Sequence, residues 1–251
     1  MTKLITILFL LPFISFAQKD SIVSGAYNWQ QPAPIKNIIT SISLVQGKAH
    51  DFEWVQLSAS SLTGTKELKQ SMPADQEQLL IIRSGSITIH FKDSSFILTP
   101  NSIAVLMPGE KYSLRNASNE RCDFYSMRYR KVLSEREKPA GNSFVKIWEN
   151  IPFKPNNIGG GRRDFFEQAT AMQKRFEIHV STLKEGIRSH DPHTHKAEEI
   201  VLLIDGDTEM QIGDQFKKAD AGGFYYLGSN VLHAIKNIGT RSSTYFAIQF
   251  E

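Results

Sequence analysis

The chain repeats itself. Gly85 to Tyr129 superposes on Gly206 to Phe250 with no gap: Gly85 matches Gly206, Asn116 matches Asn237, and Phe124-Tyr125-Ser126-Met127 matches Tyr245-Phe246-Ala247-Ile248, always 121 positions apart. Upstream the match continues across a short insertion, Phe52-Glu53-Trp54 answering Phe176-Glu177-Ile178. A sequence that holds two copies of one unit is expected to fold as two copies of one structure.

Each copy reads as β. Short runs rich in Val, Ile, Phe and Tyr, such as Phe176 to Leu183, Thr208 to Ile212, Gly223 to Leu227 and Thr244 to Phe250, sit between Gly, Asn, Asp and Ser turns. Such spacing is that of sandwiches and barrels. No long stretch holds an amphipathic helical period, although Asp164 to Arg175 reads as opening with a helical turn. Closure of each unit into a barrel removes exposed strand edges and brings side chains from several strands into one interior.

Chemistry concentrates in the second copy, in Ser189-His190-Asp191-Pro192-His193-Thr194-His195-Lys196-Ala197-Glu198-Glu199. Alternate residues on an extended chain share a face, so His193 and His195 project together and Glu198 points away from Glu199. Glu199 opens the apolar run Ile200-Val201-Leu202-Leu203-Ile204, and His233 lies in Leu232-His233-Ala234-Ile235-Lys236-Asn237. Three imidazoles and a carboxylate form a ligand set for a divalent transition metal. The other histidines are His50 and His90, which read as surface residues, His179, which sits on a strand beside Glu177 with its face undetermined, and His190, a loop, substrate-contact or supporting residue.

The pattern resembles the two motifs of the cupin superfamily, of germin-like type: Gly186, His193, His195, Glu199 and Gly206 for the first, Gly222, His233 and Asn237 for the second. It departs in a first spacer one residue longer, in Gly228 where Pro is usual, and in Asn230 where Gly is usual; Gly and Asn both tolerate the positive φ of a turn. The resemblance implies two tandem jelly-roll barrels of the double-stranded β-helix kind, and it covers nearly all of the sequence after residue 17. It also implies one divalent metal held by His193, His195, Glu199 and His233, manganese or iron ahead of nickel or zinc. Subtracting 121 from those numbers gives Met72, Ala74, Gln78 and Tyr112. The first barrel therefore lacks the ligand set, and Met72 and Tyr112 are of a size to fill the space.

The remaining segments divide the chain into a leader (1–17), an arm (18–35), a first barrel (36–130), a connector (131–163) and a metal-binding barrel (164–251). Lys3, an apolar core at 4–14 and Ser15-Phe16-Ala17 have the form of a secretory signal with small residues at the cleavage site. The expected protein is exported to the periplasm or the medium, with no membrane association after the signal is removed. The connector holds Glu135-Arg136-Glu137-Lys138, Pro139-Ala140-Gly141 and Gly159-Gly160-Gly161, and reads as a linker over a barrel surface. Its glycines lack the strand, helix and Lys-Ser/Thr of a phosphate loop. Net charge is +3, too small and too evenly spread for nucleic acid. The single cysteine, Cys122, excludes an internal disulfide and reads as a strand residue.

Three classes of function fit these residues. The first is a metal-dependent enzyme on a small polar metabolite, carboxylate or sugar-derived, with Arg188, His190 and Lys196 as substrate contacts and no catalytic acid or base identified. The second is a small-molecule binding or sensing module whose metal is a docking point. The third is a storage or structural protein. Two-barrel chains also form homo-oligomers. Cupins with this ligand set include dioxygenases, decarboxylases, isomerases and hydrolases, so fold does not choose the reaction. The layout is similar to that of ureidoglycine aminohydrolases, whose ligand order, Glu-x-His-x-x-x-His with a distant Gln, differs from the order here.

Overall fold

A computed structural model describes residues 21–118, 120–131, 141–157 and 159–251. The expected signal at 1–17 and the charged run at 135–138 lie outside these residues. In chain order the strands are β1 (Gly25–Tyr27), β2 (Ile39–Gly47), β3 (Trp54–Leu62), β4 (Leu68–Ser71), β5 (Glu77–Ser84), β6 (Ile87–Phe91) and β7 (Ser94–Leu98). They continue with β8 (Ile103–Leu106), β9 (Lys111–Asn116), β10 (Cys122–Arg130), β11 (Phe144–Lys146), β12 (Lys154–Pro155) and β13 (Gly161–Gln168). The last seven are β14 (Phe176–Leu183), β15 (Glu198–Asp205), β16 (Thr208–Ile212), β17 (Gln215–Ala219), β18 (Phe224–Leu227), β19 (His233–Asn237) and β20 (Ser243–Phe250). The helical turn expected after Asp164 is replaced by β13, and among the described residues the one helical segment is a 3-10 turn at Trp148–Asn150.

The strands form four layers. In the first barrel a four-stranded sheet, β4-β9-β6-β7, faces a six-stranded sheet, β11-β8-β5-β10-β3-β2. In the second, a three-stranded sheet, β17-β16-β19, faces a seven-stranded one, β1-β18-β15-β20-β14-β13-β12. The two large sheets lie back to back: Leu79, Ile81 and Tyr125 of one share a core with Ile200, Leu202 and Phe246 of the other. The opposite faces of these sheets carry Leu80, Ile82 and Phe124 into the first barrel and Val201, Leu203 and Tyr245 into the second. Burial on both faces explains the unbroken apolar runs of β5, β8, β15 and β18, where alternation is lost. β6 and β16, in the outer sheets, keep the alternation of a strand with one wet face.

The segments expected as arm and connector belong to the sheets. β1 pairs with β18 of the second barrel, Gly25 opposite Tyr226, while β11 pairs with β8 of the first, Phe144 opposite Val105. Tyr226 and Val105 are counterparts 121 positions apart, so each repeat lends its opening strand to the other barrel's large sheet in one register. β12 and the start of β13 also fall in the expected connector, and the second barrel begins before residue 164.

The register corrects the insertion expected near residue 52. Val55 stands opposite Tyr129 in the β3–β10 pair, and Phe176 opposite Phe250 in the β14–β20 pair, so the 121-residue offset runs unbroken through these strands. Bulges between Ser43 and Val45 and between Asp164 and Phe166 obey the same offset. The counterpart of Phe176 is therefore Val55. Phe52 resembles it because both rings enter the core between the barrels, where Phe52 lies 5.7 Å from Phe250.

Gly206 and Gly85 close equivalent turns, with φ of +85° and +70°. A Cβ at Gly206 would lie 2.6 Å from the Ser243 side chain, and one at Gly85 2.7 Å from the Arg121 carbonyl. Both the dihedral and the space demand glycine. At the turn where the second motif departs from the family pattern, Asn230 takes φ of +59°, and its counterpart Gly109 takes +75°.

Candidate metal centre and the cavity around it

His193, His195 and His233 meet at the end of the second barrel, each with a possible ligand nitrogen within 4.8 Å of the others. His233 opens β19. His193 lies in a loop, not on the strand its alternation implied, yet it pairs with His233 through reciprocal backbone hydrogen bonds of 3.0 and 3.1 Å. Directly opposed residues share a face, and these two rings have centroids 4.6 Å apart. His195 follows two residues later on the same side, 5.3 Å from His193. Glu199, on β15, brings its Oε2 within 3.4 Å of His195 Nε2 and 3.3 Å of His233 Nε2. Glu198 turns to the opposite face, where it accepts a 2.5 Å hydrogen bond from the Tyr226 hydroxyl.

The tautomers suit a cation. His195 Nδ1 lies 2.7 Å from the Ala197 carbonyl and His233 Nδ1 2.8 Å from the Val231 carbonyl, so each donates its proton there. Both Nε2 atoms, and Nδ1 of His193, are buried with no hydrogen-bond partner. Lone pairs fixed this way by backbone acceptors are the usual preparation of imidazole for a metal, and buried nitrogens without partners are otherwise costly. A divalent transition ion fits this donor set. Burial alone would raise the Glu199 carboxyl, but His195 and His233 beside it hold it at about 2. Burial, with the neighbouring His190, His233 and His195, lowers His193. The neighbouring Glu199 carboxylate raises His195.

Of the expected substrate contacts, only His190 reaches the site, its ring standing edge-on to His193 at 4.1 Å. Arg188 is exposed and bridges through its backbone to Lys236. Lys196 turns outward to Asp51 and Glu251, 3.6 Å from each. Neither lines the cavity.

The cavity beside the histidines has a volume of about 320 Å³, and its other polar walls come from residues the sequence left unassigned. Arg162 of β13, His179 of β14 and Gln249 of β20 line it. Glu177 holds the first two in place: its Oε1 lies 3.0 Å from His179 Nδ1 and accepts a 2.7 Å bond from Arg162, while Oε2 accepts from Arg175. Arg162 and Lys154 meet at Asp164. The hydrogen bond from His179 leads in depressing the Glu177 carboxyl to about 2, against burial and with help from Arg162. The signal that could have found this pair is the polar face of β14, where Glu177, His179 and Ser181 alternate with Phe176, Ile178 and Val180.

Strand pairing also revises the first-barrel counterparts. Tyr112 answers His233, and the residue opposite Tyr112 is Gln70, so Gln70 answers His193 and Met72 answers His195. Ala74 is not a counterpart. The loop is two residues longer before His193 and two shorter before Glu199, which hides the correspondence from a constant offset.

Residues 179–248 match the family model described as "Cupin domain". No curated protein matches the chain by sequence. Solved structures similar in fold include AerE from Microcystis aeruginosa, 17% identical, covering 90% of this chain and 98% of that one, with a TM-score of 0.67. The putative glyoxylate-induced protein from Pseudomonas aeruginosa is 15% identical over 85% and 80% of the two chains, with a TM-score of 0.69. A Lactobacillus farciminis oxalate decarboxylase–formate complex is 10% identical over 92% and 87%, with a TM-score of 0.68. Residues 179–248 thus match a cupin domain, and the chain as a whole folds as two tandem jelly-roll barrels, the fold it shares with these structures.

Proposed function

We propose that this is an exported metal-dependent enzyme acting on a small anionic metabolite in the second barrel, with His193, His195, Glu199 and His233 as metal ligands in a germin-like arrangement. The observation that carries the reading is the shared cavity: buried, partnerless imidazole nitrogens open onto the same space as an arginine and an anchored histidine. A bound divalent ion would supply a Lewis acid with positions left for substrate or water. Arg162, whose Nε and Nη2 are held by Asp164 and Glu177, would orient a substrate carboxylate oxygen through its remaining Nη1 donors. His179 would move a proton: Glu177 fixes one ring nitrogen and leaves the other for the cavity. Gln249 would fix orientation by neutral hydrogen bonds. The oxalate decarboxylase and the putative glyoxylate-induced protein among the fold neighbours agree with a small carboxylate by their names alone. Export rests on residues 1–17.

The test is metal analysis of the purified chain, followed by turnover screens across small carboxylates and sugar acids with and without O₂. His179→Asn is expected to keep the metal and lose turnover, while His233→Ala loses both. Stoichiometric metal with tight ligand uptake and no turnover would replace this reading with a binding module.

A further inference from the structure

The first barrel holds a cavity of its own, about 410 Å³, at the place equivalent to the second barrel's site. Its counterpart positions are occupied by polar side chains rather than by bulk. Ser58 stands for His179, Ser41 for Arg162 and Gln56 for Glu177, each 121 positions earlier. Gln78 stands for Glu199 and Ser126 for Ala247. Met72 and Tyr112 are buried as expected, yet they do not fill the space. An interior kept only for packing would gain by apolar filling, because hydroxyls and amides in a barrel lose their water.

These groups are ordered as a binding wall. Gln78, itself buried, accepts a 3.0 Å bond from the Tyr112 hydroxyl and donates a 2.7 Å bond to Ser126. Ser41 and Ser60 share a 2.8 Å bond. Where the second barrel has the neutral Gln249, this one has Arg128, beside Tyr112. Arg128 lines the cavity, no carboxylate does, and among the described residues none forms an ion pair with it. A cation facing a hydroxyl-lined chamber without a counter-ion selects an anion that carries hydroxyls of its own.

The geometry points to a second, metal-independent ligand site in the first barrel, for a hydroxylated monocarboxylate of sugar-acid size, with Arg128 on the carboxylate and the serine and glutamine side chains on the hydroxyls. The test is calorimetric titration of the full chain with D-gluconate and D-glucuronate in the presence of a chelator, with D-glucose as the uncharged comparator. One sugar acid is expected to bind, and His233→Ala to leave that binding intact. Arg128→Gln, which installs the side chain type of the second barrel, is expected to weaken it about tenfold or more. Ser58→Leu, which fills the chamber, is expected to abolish it; unchanged thermal unfolding of both variants confirms that they are folded. The proposal is overturned by absence of binding at about 10 mM of either acid, beyond which affinity carries little meaning. It is equally overturned if glucose binds as well as the acids, or if binding falls in His233→Ala and survives Arg128→Gln.

Discussion

Glu177→Gln separates the proton-transfer role proposed for His179 from the metal ligation proposed for His193, His195, Glu199 and His233. The Glu177 carboxylate accepts from His179, Arg162 and Arg175 at once. A glutamine can satisfy the histidine or an arginine with its one oxygen, but its amide nitrogen then faces another donor. The carboxyl lies at about 2 instead of the usual 4.5. That difference corresponds to roughly 3 kcal/mol between its charged and neutral forms. Arg162 and Arg175 are 46% and 33% exposed, so water screens the cluster, and about half that value, ~1–2 kcal/mol, is expected in the folded protein. For a chain of this size the melting temperature should fall by roughly 3–6 °C. The sign with pH is fixed by the direction of the shift. A carboxyl depressed on folding stabilises fully above its unfolded value of 4.5 and loses that contribution as pH falls through about 2. The stability gap between wild type and variant should therefore be flat from neutral pH to ~5 and then close. Urea unfolding across that range, with metal content measured in parallel, checks both arms. A gap that stays constant to ~pH 2, or a variant that loses its metal, would refute the assigned role. Turnover of any identified substrate should drop about tenfold to a hundredfold, part of what a positioned acid–base group supplies.

Metal removal by a chelator should lower the melting temperature by roughly 5–10 °C relative to protein with free ion at about 100 Kd, and His233→Ala should abolish that difference in differential scanning fluorimetry. Asn237→Ala should cost about 2–3 kcal/mol in urea unfolding, since its buried amide donates to the Leu183 and Arg241 carbonyls and accepts from Gly239 N–H. Asn116→Ala should behave alike, because Asn116 donates to the matching Leu62 carbonyl. Cys122 is fully buried and burial pushes its thiol up to about 12, so a thiol reagent at neutral pH should react only as the protein unfolds.

Much of the molecule was legible because its signals are local. Turn glycines, strand composition and the gap-free repeat gave the β class and the duplication, and His193, His195, Glu199 and His233 stood at spacings that meet in space. The constant offset misassigned Met72 and Ala74, since two compensating length changes in one loop leave the flanking strands in step. Arg188 and Lys196 are close to the ligands along the chain, but the loop turns both away from the cavity.

What the sequence by itself determined is which side chains share a face: alternation puts Phe176, Ile178 and Val180 on one side of β14 and Glu177, His179 and Ser181 on the other. It could not say what covers each face. A polar face ordinarily meets water, but here the loop carrying His190 and His193 and the outer sheet fold over it, so it becomes the wall of a chamber. The apolar face meets not its own barrel but the back of the other one. The exchange of β1 and β11 between barrels is of the same kind, because strand pairing is a contact between distant segments that no local pattern encodes.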